Sequence, residues 1–274
     1  MEFEREKQSL LLEGVRYTAN DLHLLKTKAV GASDSSTGQM LYDFLQEWFT
    51  ESPWMTVHTS GSTGKPKKIR ISKDKMMQSA RLTCEFLNLQ IGDTALLCMN
   101  LRYIGAMMVV VRSLVAGLNL IIRPASGHPL SDVKQPLRFA AMVPLQVYNT
   151  LRTPEEKERL KQTEILIIGG GAIDEALETE IRNLPGAIYS TYGMTETLSH
   201  IALRRLNGTA ASERYYPFSS VNLSLSPENT LVIDAPLVCD GVLQTNDIAR
   251  IYPDKGFIIL GRKDNVINSG GIKI

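Results

Sequence analysis

An excess of charge of either sign is absent from this chain. Its 274 residues hold 30 lysines and arginines against 29 aspartates and glutamates, a formal net charge of +1. No global field draws it to nucleic acid or to a membrane surface, so any handling of phosphate must be local. Cysteine is scarce. Cys84, Cys98 and Cys239 are odd in number, widely spaced and without a Cys-x-x-Cys pair, which argues against a disulfide framework and for buried free thiols in a reducing cytoplasm. No His/Cys/Asp cluster has metal-ligand spacing, so zinc is not expected. Long uninterrupted apolar runs are also missing: the stretch Ile104 to Ile122 contains Arg112, Gly117 and Asn119 and reads as a buried helix followed by a strand, not a membrane span. The opening residues, Met-Glu-Phe-Glu-Arg-Glu-Lys, are too acidic to begin a signal peptide.

What is present is a hydrophobic fraction of 43%, ordinary for a globular chain with a large core or two joined ones. Leu10 to Thr18, with Glu13-Gly14 between, reads as a hairpin, and Asn20 or Asp21 as the cap of a short helix. Apolar residues at helical spacing predict a helix from about Gly38 to Phe49. Strands are expected at Trp54 to Thr59 and Lys68 to Ile71, on either side of a polar Gly/Pro loop. From the N-cap Ser72 the chain alternates: helix, strand (Thr94 to Cys98), helix (Arg102 to Ala116), strand (Leu118 to Ile122), then a strand at Phe139 to Val143. A helix capped at Thr153-Pro154 follows, then a strand at Glu164 to Ile168, a helix from Asp174 and a strand at Ala187 to Thr191. Such alternation indicates a parallel α/β sheet. After Leu206 short strands at Thr230 to Ala235, Ile248 to Tyr252 and Phe257 to Leu260 indicate a smaller antiparallel β lobe.

The loop Thr59, Ser60, Gly61, Ser62, Thr63, Gly64, Lys65, Pro66, Lys67 concentrates hydroxyls, glycines and lysines between two strands. Glycines let backbone N–H groups approach an anion, hydroxyls donate to it and lysines neutralise it. Composition alone leaves a phosphate clamp and a solvated hairpin loop level. A Walker A loop is excluded, because Lys65 is followed by Pro66 and opens no helix. A Rossmann fingerprint at Gly169-x-Gly171 lacks its third glycine, Asp174 standing there instead.

The order of residues in this loop resembles the phosphate loop of the adenylate-forming superfamily, which includes acyl- and aryl-CoA ligases, luciferases and peptide-synthetase adenylation domains. Tyr192-Gly-Met-Thr-Glu196 is similar to that family's Tyr-Gly-x-Thr-Glu motif, and Gly170-Gly171-Ala172 lies a helix and a strand earlier. Thr245-Asn246-Asp247 stands where the family has Thr-Gly-Asp, and Gly261-Arg262-Lys263-Asp264 resembles its hinge. One motif alone is weak; the ordered set, spread over most of the chain, is specific.

The resemblance implies an α/β fold: a large N-terminal domain at residues 1–262, with subdomains at about 1–163 and at 164–206 plus a β lobe at 207–262, followed at 263–274 by a hinge turning on Asp264 and the start of a C-terminal domain. It implies ATP held by Thr59, Ser60, Gly61, Ser62, Thr63, Gly64 and Lys67, with Lys65, Thr195 and Glu196 as catalytic residues and Glu196 beside Mg2+. Thr195 would serve the α-phosphate. Gly170, Gly171, Ala172, Tyr192 and Gly193 would hold adenine, and Asp247 and Arg262 the ribose. Asn246 in place of glycine is a departure, tolerated if the turn needs positive φ. His58 reads as a packed histidine.

The phosphate loop begins early, which points to compact members of the superfamily. Met142-Val-Pro-Leu-Gln146 resembles the Val-Pro-x-Gln of o-succinylbenzoate-CoA ligases, and Gly261 to Ile274 their hinge. The implied reaction activates a small carboxylic acid as acyl-AMP and transfers it to coenzyme A, in the cytoplasm, with no nucleic-acid or membrane partner. Oligomeric state is not legible. The family's adenylation lysine and thioester-forming surface belong to a small domain beyond the hinge, so binding without efficient turnover is expected of these residues alone. Another acyl- or aryl-acid ligase and a non-catalytic nucleotide-binding module remain as alternatives.

Overall fold

The computed structural model describes residues 1–25, 35–58 and 68–264, and the backbone alone of 268–269 and 272–273; the side chains of residues 35 and 58 lie outside that description. A hairpin opens the chain. Strands β1 (Leu10–Leu12) and β2 (Val15–Tyr17) pair antiparallel around Glu13 (φ 47°) and Gly14 (φ 83°), the two consecutive positive φ angles of a turn whose twist matches its strands. Thr18 caps the 3-10 turn that follows (Ala19–Asp21), its amide (2.9 Å) and hydroxyl (2.6 Å) donating to Asp21 Oδ2, and α-helical residues begin at Leu22, directly after the expected cap Asp21. A hydroxyl followed three residues later by a carboxylate can satisfy both ends of such a turn.

Helix α1 (Ser35–Trp48) leads to β3 (Trp54–His58), which pairs antiparallel with β4 (Lys68–Ser72). Ser72 caps α2 (Lys73–Phe86) by accepting from the Lys75 amide, as its side-chain chemistry favours. Next come β5 (Thr94–Leu97), α3 (Ile104–Ala116), β6 (Asn119–Ile122), β7 (Leu137–Met142), α4 (Pro144–Arg152), α5 (Pro154–Lys161), β8 (Thr163–Ile168), α6 (Glu175–Ile181), β9 (Ala187–Gly193), β10 (His200–Arg205) and β11 (Tyr216–Pro217). Helix α3 is buried from Ala106 to Ala116, as a helix apolar all round must be. It stops at Gly117, whose φ of 68° gives the left-handed cap that glycine adopts without strain. Thr153 stands at the N-cap of α5 with Pro154 first in the helix, as expected, but its hydroxyl makes no cap bond: it donates instead to the Asn149 carbonyl (3.2 Å) of the helix that ends beside it.

These strands form a nine-stranded sheet in the order β11-β10-β9-β8-β7-β5-β6-β1-β2. Neighbours from β9 through β1 are parallel, and both edges are antiparallel. The sheet is covered on both faces. Ile165 and Ile167 face a core shared with α1, α2 and α3, while Leu166 and Ile168 face one shared with α4, α5 and α6, the period-two alternation of a strand buried on both sides. Strands β7 and β8 are neighbours, so the sheet runs unbroken across residues 163 and 164.

A separate antiparallel sheet orders β12 (Asn222–Leu225), β13 (Thr230–Asp234), β14 (Val242–Ile251) and β15 (Phe257–Arg262). Strand β14 begins well before Ile248 and runs straight through Thr245-Asn246-Asp247. Asn246 therefore needs no positive φ: it lies within a paired strand, and Asp247 stands opposite Arg262. The three cysteines are free and buried, and burial pushes the Cys98 thiol up to about 12. Among the described residues no helix is long and apolar enough to cross a membrane.

Candidate active site

The carboxyl ends of parallel strands are where loops of an open α/β sheet gather around a ligand. At the end of β8 the chain enters Gly169, Gly170, Gly171 and Ala172. The Thr191 hydroxyl of neighbouring β9 donates to the Ile168 carbonyl (3.2 Å), and a Cβ on Gly169 would meet that hydroxyl at 2.4 Å. Gly170 has φ +80°, a conformation that costs glycine little. Gly170 and Ala172 are exposed. Backbone without side chains is thus presented at the strand end, as close approach by a flat ring requires.

Strand β9 ends in Tyr192-Gly193 and turns through Thr195–Thr197 into antiparallel β10. This turn is tightly specified. A Cβ at Gly193 would lie 2.2 Å from the Ser199 carbonyl oxygen, so only glycine fits. Thr197 is fully buried; its hydroxyl receives the Met194 amide (2.9 Å) and lies within hydrogen-bond distance of the Met194 and Ser199 carbonyls (3.0 and 2.7 Å). Leu198, also buried, is held at φ 64°, ψ −35°, while the Ser199 amide donates to the Thr197 carbonyl at 2.7 Å. That is a γ-turn of the rare, strained hand. Thr195 is half-buried and Glu196 exposed at the outer side of the turn. The Cys239 thiol donates to the Glu196 carbonyl (3.4 Å), and Lys75 of α2 donates to the Cys239 carbonyl (2.6 Å) and pairs with Asp240.

The two sheets meet at Tyr192. Its hydroxyl donates to Asp247 Oδ2 at 2.6 Å, and Arg262 donates to Asp247 Oδ1 at 2.9 Å. The Tyr192 ring stands edge-on to Phe257 with centroids 5.2 Å apart. Burial, and then the Asp247 charge, push the phenol well above its ordinary range, so it stays a donor. Arg262 also grips Asp264 through two nitrogens (2.9 and 2.7 Å), and this hydrogen bonding raises the Arg262 pKa. The Asn246 amide donates to Asp264 as well (2.9 Å). Asp247 is 7% exposed. A carboxylate oxygen offers about two lone-pair sites, so each Asp247 oxygen keeps one acceptor position beyond the donor it already holds, as a vicinal diol needs.

The structure thus joins Tyr192, Asp247, Arg262 and Asp264 in one hydrogen-bonded chain, with Gly193, Thr195 and Glu196 on the adjoining turn and Gly170 to Ala172 at the end of the adjacent strand. Thr59, Ser60, Gly61, Ser62, Thr63, Gly64, Lys65 and Lys67 lie outside the described residues, as does the His58 side chain. The backbones flanking that loop are brought together by the pairing of His58 with Lys68. Sequence reasoning missed Thr197, Ser199 and Cys239. It noticed Arg112 only as an interruption of an apolar run; the signal was there, a lone cation in a helix otherwise fit for the core. Gln146 of the Val-Pro-x-Gln segment proves to tie backbone: its amide nitrogen donates to the carbonyls of Cys98 (2.8 Å) and Ser126 (2.9 Å), and its oxygen accepts from the Val143 amide (3.2 Å).

Comparison with known proteins bears on the family and the fold. The profile of the AMP-binding enzyme family matches residues 15–232. A 2-succinylbenzoate–CoA ligase of Bacillus cereus (strain Q1) is 26% identical over 266 residues, covering 84% of this chain and 54% of the relative, and that of Bacillus mycoides (strain KBAB4) matches equally. The chain therefore spans about half the length of these curated relatives. Among solved structures, an acyl-CoA synthetase (AMP-forming)/AMP-acid ligase II-like protein from Dyadobacter fermentans superposes with a TM-score of 0.79 at 34% identity, over 91% of this chain and 72% of the other. The o-succinylbenzoate coenzyme A synthetase of Bacillus subtilis, in complex with ATP and magnesium ion, shares the fold at a TM-score of 0.63 and 21% identity, over 80% and 52% of the two chains. The chain belongs to the AMP-binding enzyme family.

Proposed function

We propose that these residues form the ATP- and acid-binding part of an AMP-forming acid–thiol ligase, and that the acid is o-succinylbenzoate, activated as its acyl-adenylate and passed to coenzyme A in menaquinone synthesis. The observation that carries the reading is the buried Asp247 carboxylate, bound by Tyr192 on one oxygen and Arg262 on the other. In this reading Asp247 takes the ribose hydroxyls, Arg262 adds a cation beside them, and Tyr192 and Gly193 with the backbone of Gly170, Gly171 and Ala172 hold adenine.

The substrate carboxylate attacks the α-phosphorus of ATP and pyrophosphate leaves in line. No general base is required, because a carboxylate is already ionised at neutral pH. The protein's task is to stabilise charge that grows on the phosphoryl oxygens. Thr195 donates to the α-phosphate, and Lys65, Lys67 and the hydroxyls and amides of residues 59–64 take the β- and γ-phosphates. Glu196, an exposed carboxylate on a fixed turn, suits a magnesium ion, which when bound neutralises the departing pyrophosphate. In the second half-reaction the thiol of coenzyme A attacks the acyl carbon and AMP leaves. Residues 1–262 constitute the large domain, and 263–274 the hinge turning on Asp264. The Asn246–Asp264 and Arg262–Asp264 contacts support that role, since they tie the hinge residue to β14 and β15. The acid sits near the carboxyl ends of β7 and β9, by residues 143–148 and the segment after Glu196.

The test is ATP–pyrophosphate exchange with Mg2+ and a panel of aromatic acids. The proposal expects slow exchange dependent on o-succinylbenzoate. Exchange supported only by another acid would reassign the substrate and keep the chemistry; nucleotide binding without exchange under any acid would leave a binding module.

A further inference from the structure

The small sheet is tied to the large one at both ends of a single hairpin. Strands β14 and β15 pair with Asp247 opposite Arg262 at one end and Ile251 opposite Phe257 at the other. Tyr192 of β9 holds the first end through Asp247. Tyr215, the residue before β11, holds the second: its amide donates to the Phe257 carbonyl and its carbonyl accepts from the Phe257 amide, both at 2.9 Å. The Tyr215 hydroxyl shares a 2.7 Å hydrogen bond with that of Ser190, which is 4% exposed and lies on β9 shortly before Tyr192. One residue thus reaches back to the strand that carries Tyr192 while its backbone grips the strand that carries Arg262.

The rings complete the junction. Tyr215 stacks on Phe257, with centroids 5.6 Å apart and planes 30° from parallel, and stands 5.9 Å from Tyr192. The Arg204 guanidinium, gripped by both oxygens of Glu178 on α6 (3.1 and 2.6 Å), lies 5.6 Å from the Tyr215 centroid. Stability alone does not call for the Ser190–Tyr215 bond. Phenylalanine and alanine in these places would bury nearly the same apolar surface, and a neutral hydrogen bond returns little beyond the bonds to water that it replaces. What it adds is direction, because a satisfied buried pair fixes one arrangement among those that packing alone allows. Held only through Tyr192 and Asp247, the small sheet could turn about that bond; the attachment at Phe257 removes this freedom. We infer that Tyr215 is a positioning residue: acting through Ser190 and Phe257, it fixes the small sheet so that Asp247 and Arg262 face the nucleotide at the end of β9. The inference rests on the proposed function above. Tyr215 touches no reacting atom; it sets the place of a carboxylate that meets the ribose. Contacts to the ribose are the same before and during attack at phosphorus, so their loss belongs in ATP affinity and not in turnover.

The experiment compares Tyr215→Leu, Tyr215→Phe, Ser190→Ala, Asp247→Ala and Tyr215→Leu/Asp247→Ala with the parent chain in acid-dependent ATP–pyrophosphate exchange and in ATP titration calorimetry, alongside amide hydrogen exchange. Tyr215→Leu should raise the KM and the dissociation constant for ATP roughly tenfold, with kcat within about threefold of the parent. Tyr215→Phe keeps the ring and should recover most of that loss; the remainder, about threefold, should match Ser190→Ala, since both remove the same hydrogen bond. In the Asp247→Ala background Tyr215→Leu should weaken ATP binding by less than about twofold, because the carboxylate that it positions is gone. Parental ATP affinity in Tyr215→Leu, a loss carried in kcat, or an undiminished effect in the Asp247→Ala background would overturn the inference. Should Tyr215→Leu not fold, Tyr215→Phe and Ser190→Ala carry the test, and parental affinity in both overturns it. If the parent chain binds no ATP, the functional reading fails by itself. Hydrogen exchange then still decides the structural claim: the Phe257 amide should exchange faster in Ser190→Ala and Tyr215→Phe while those of β8 remain protected, and unchanged protection of Phe257 in both would overturn it.

Discussion

The hydroxyl of Tyr192 lies 2.6 Å from Oδ2 of Asp247, and this single bond links the last turn of the large sheet to the small one. A charged acceptor at 7% exposure depends on its donors. Asp247 has one on each oxygen, and both belong to motifs that the nucleotide would also touch.

Tyr192→Phe removes one of those donors and leaves a buried carboxylate oxygen without it. The expected loss is about 1.5–3 kcal/mol of unfolding free energy, read by urea denaturation, with weaker ATP binding in the same variant. Unchanged stability would mean that the contact has no energetic weight.

Asp247→Ala takes away the acceptor itself. ATP binding should weaken by roughly 1–3 kcal/mol, measured by titration calorimetry. An unaltered affinity would remove Asp247 from the ribose site and take the proposal's main support with it.

Gly193→Ala places a methyl group 2.2 Å from the Ser199 carbonyl oxygen. Backbone has to move to accept it, so a destabilisation of about 2–3 kcal/mol is expected, together with loss of activity. Chemical denaturation checks the first, and pyrophosphate exchange the second.

His200 carries a pH dependence whose sign follows from its burial. Burial, and then the Arg112 charge, hold its pKa well below the ordinary value of 6.5, so the folded imidazole stays neutral while the unfolded one protonates. Below pH 6.5 the unfolded state binds more protons and stability falls with pH, by up to about 1.4 kcal/mol per pH unit from this one group. Folding free energies of the parent chain and of His200→Gln, compared between pH 7.5 and pH 5.5, should diverge as the pH drops, with the parent losing more. Parallel curves would show that the imidazole protonates in the fold.

Much of the architecture was legible because it is written in local chemistry. Ser72 caps α2 and Asp174 caps α6 through their own side chains, and the apolar runs at Thr94 to Cys98 and Glu164 to Ile168 became central parallel strands. The misreadings arose where a tertiary partner decides. Asn246 looked like a turn residue until β15 paired alongside it and Asp264 claimed its amide. Thr153 does hold the N-cap position of α5, and only its hydroxyl is diverted, locally, to the carbonyl of Asn149. At the site, residues inside ordered motifs were visible, whereas Ser199 and Arg112 were not. The hydrogen bond between them spans 87 positions, a separation that no local pattern encodes.

The central claim is that these residues recognise an acyl-adenylate of o-succinylbenzoate, and its most direct test is the affinity of this chain for a non-hydrolysable o-succinylbenzoyl-adenylate analogue relative to AMP. Analogues that capture both halves of a reaction's intermediate gain affinity over either half, so binding at least about 100-fold tighter than AMP is predicted, lost in large part in Asp247→Ala. Equal affinity for the analogue and AMP would contradict the account.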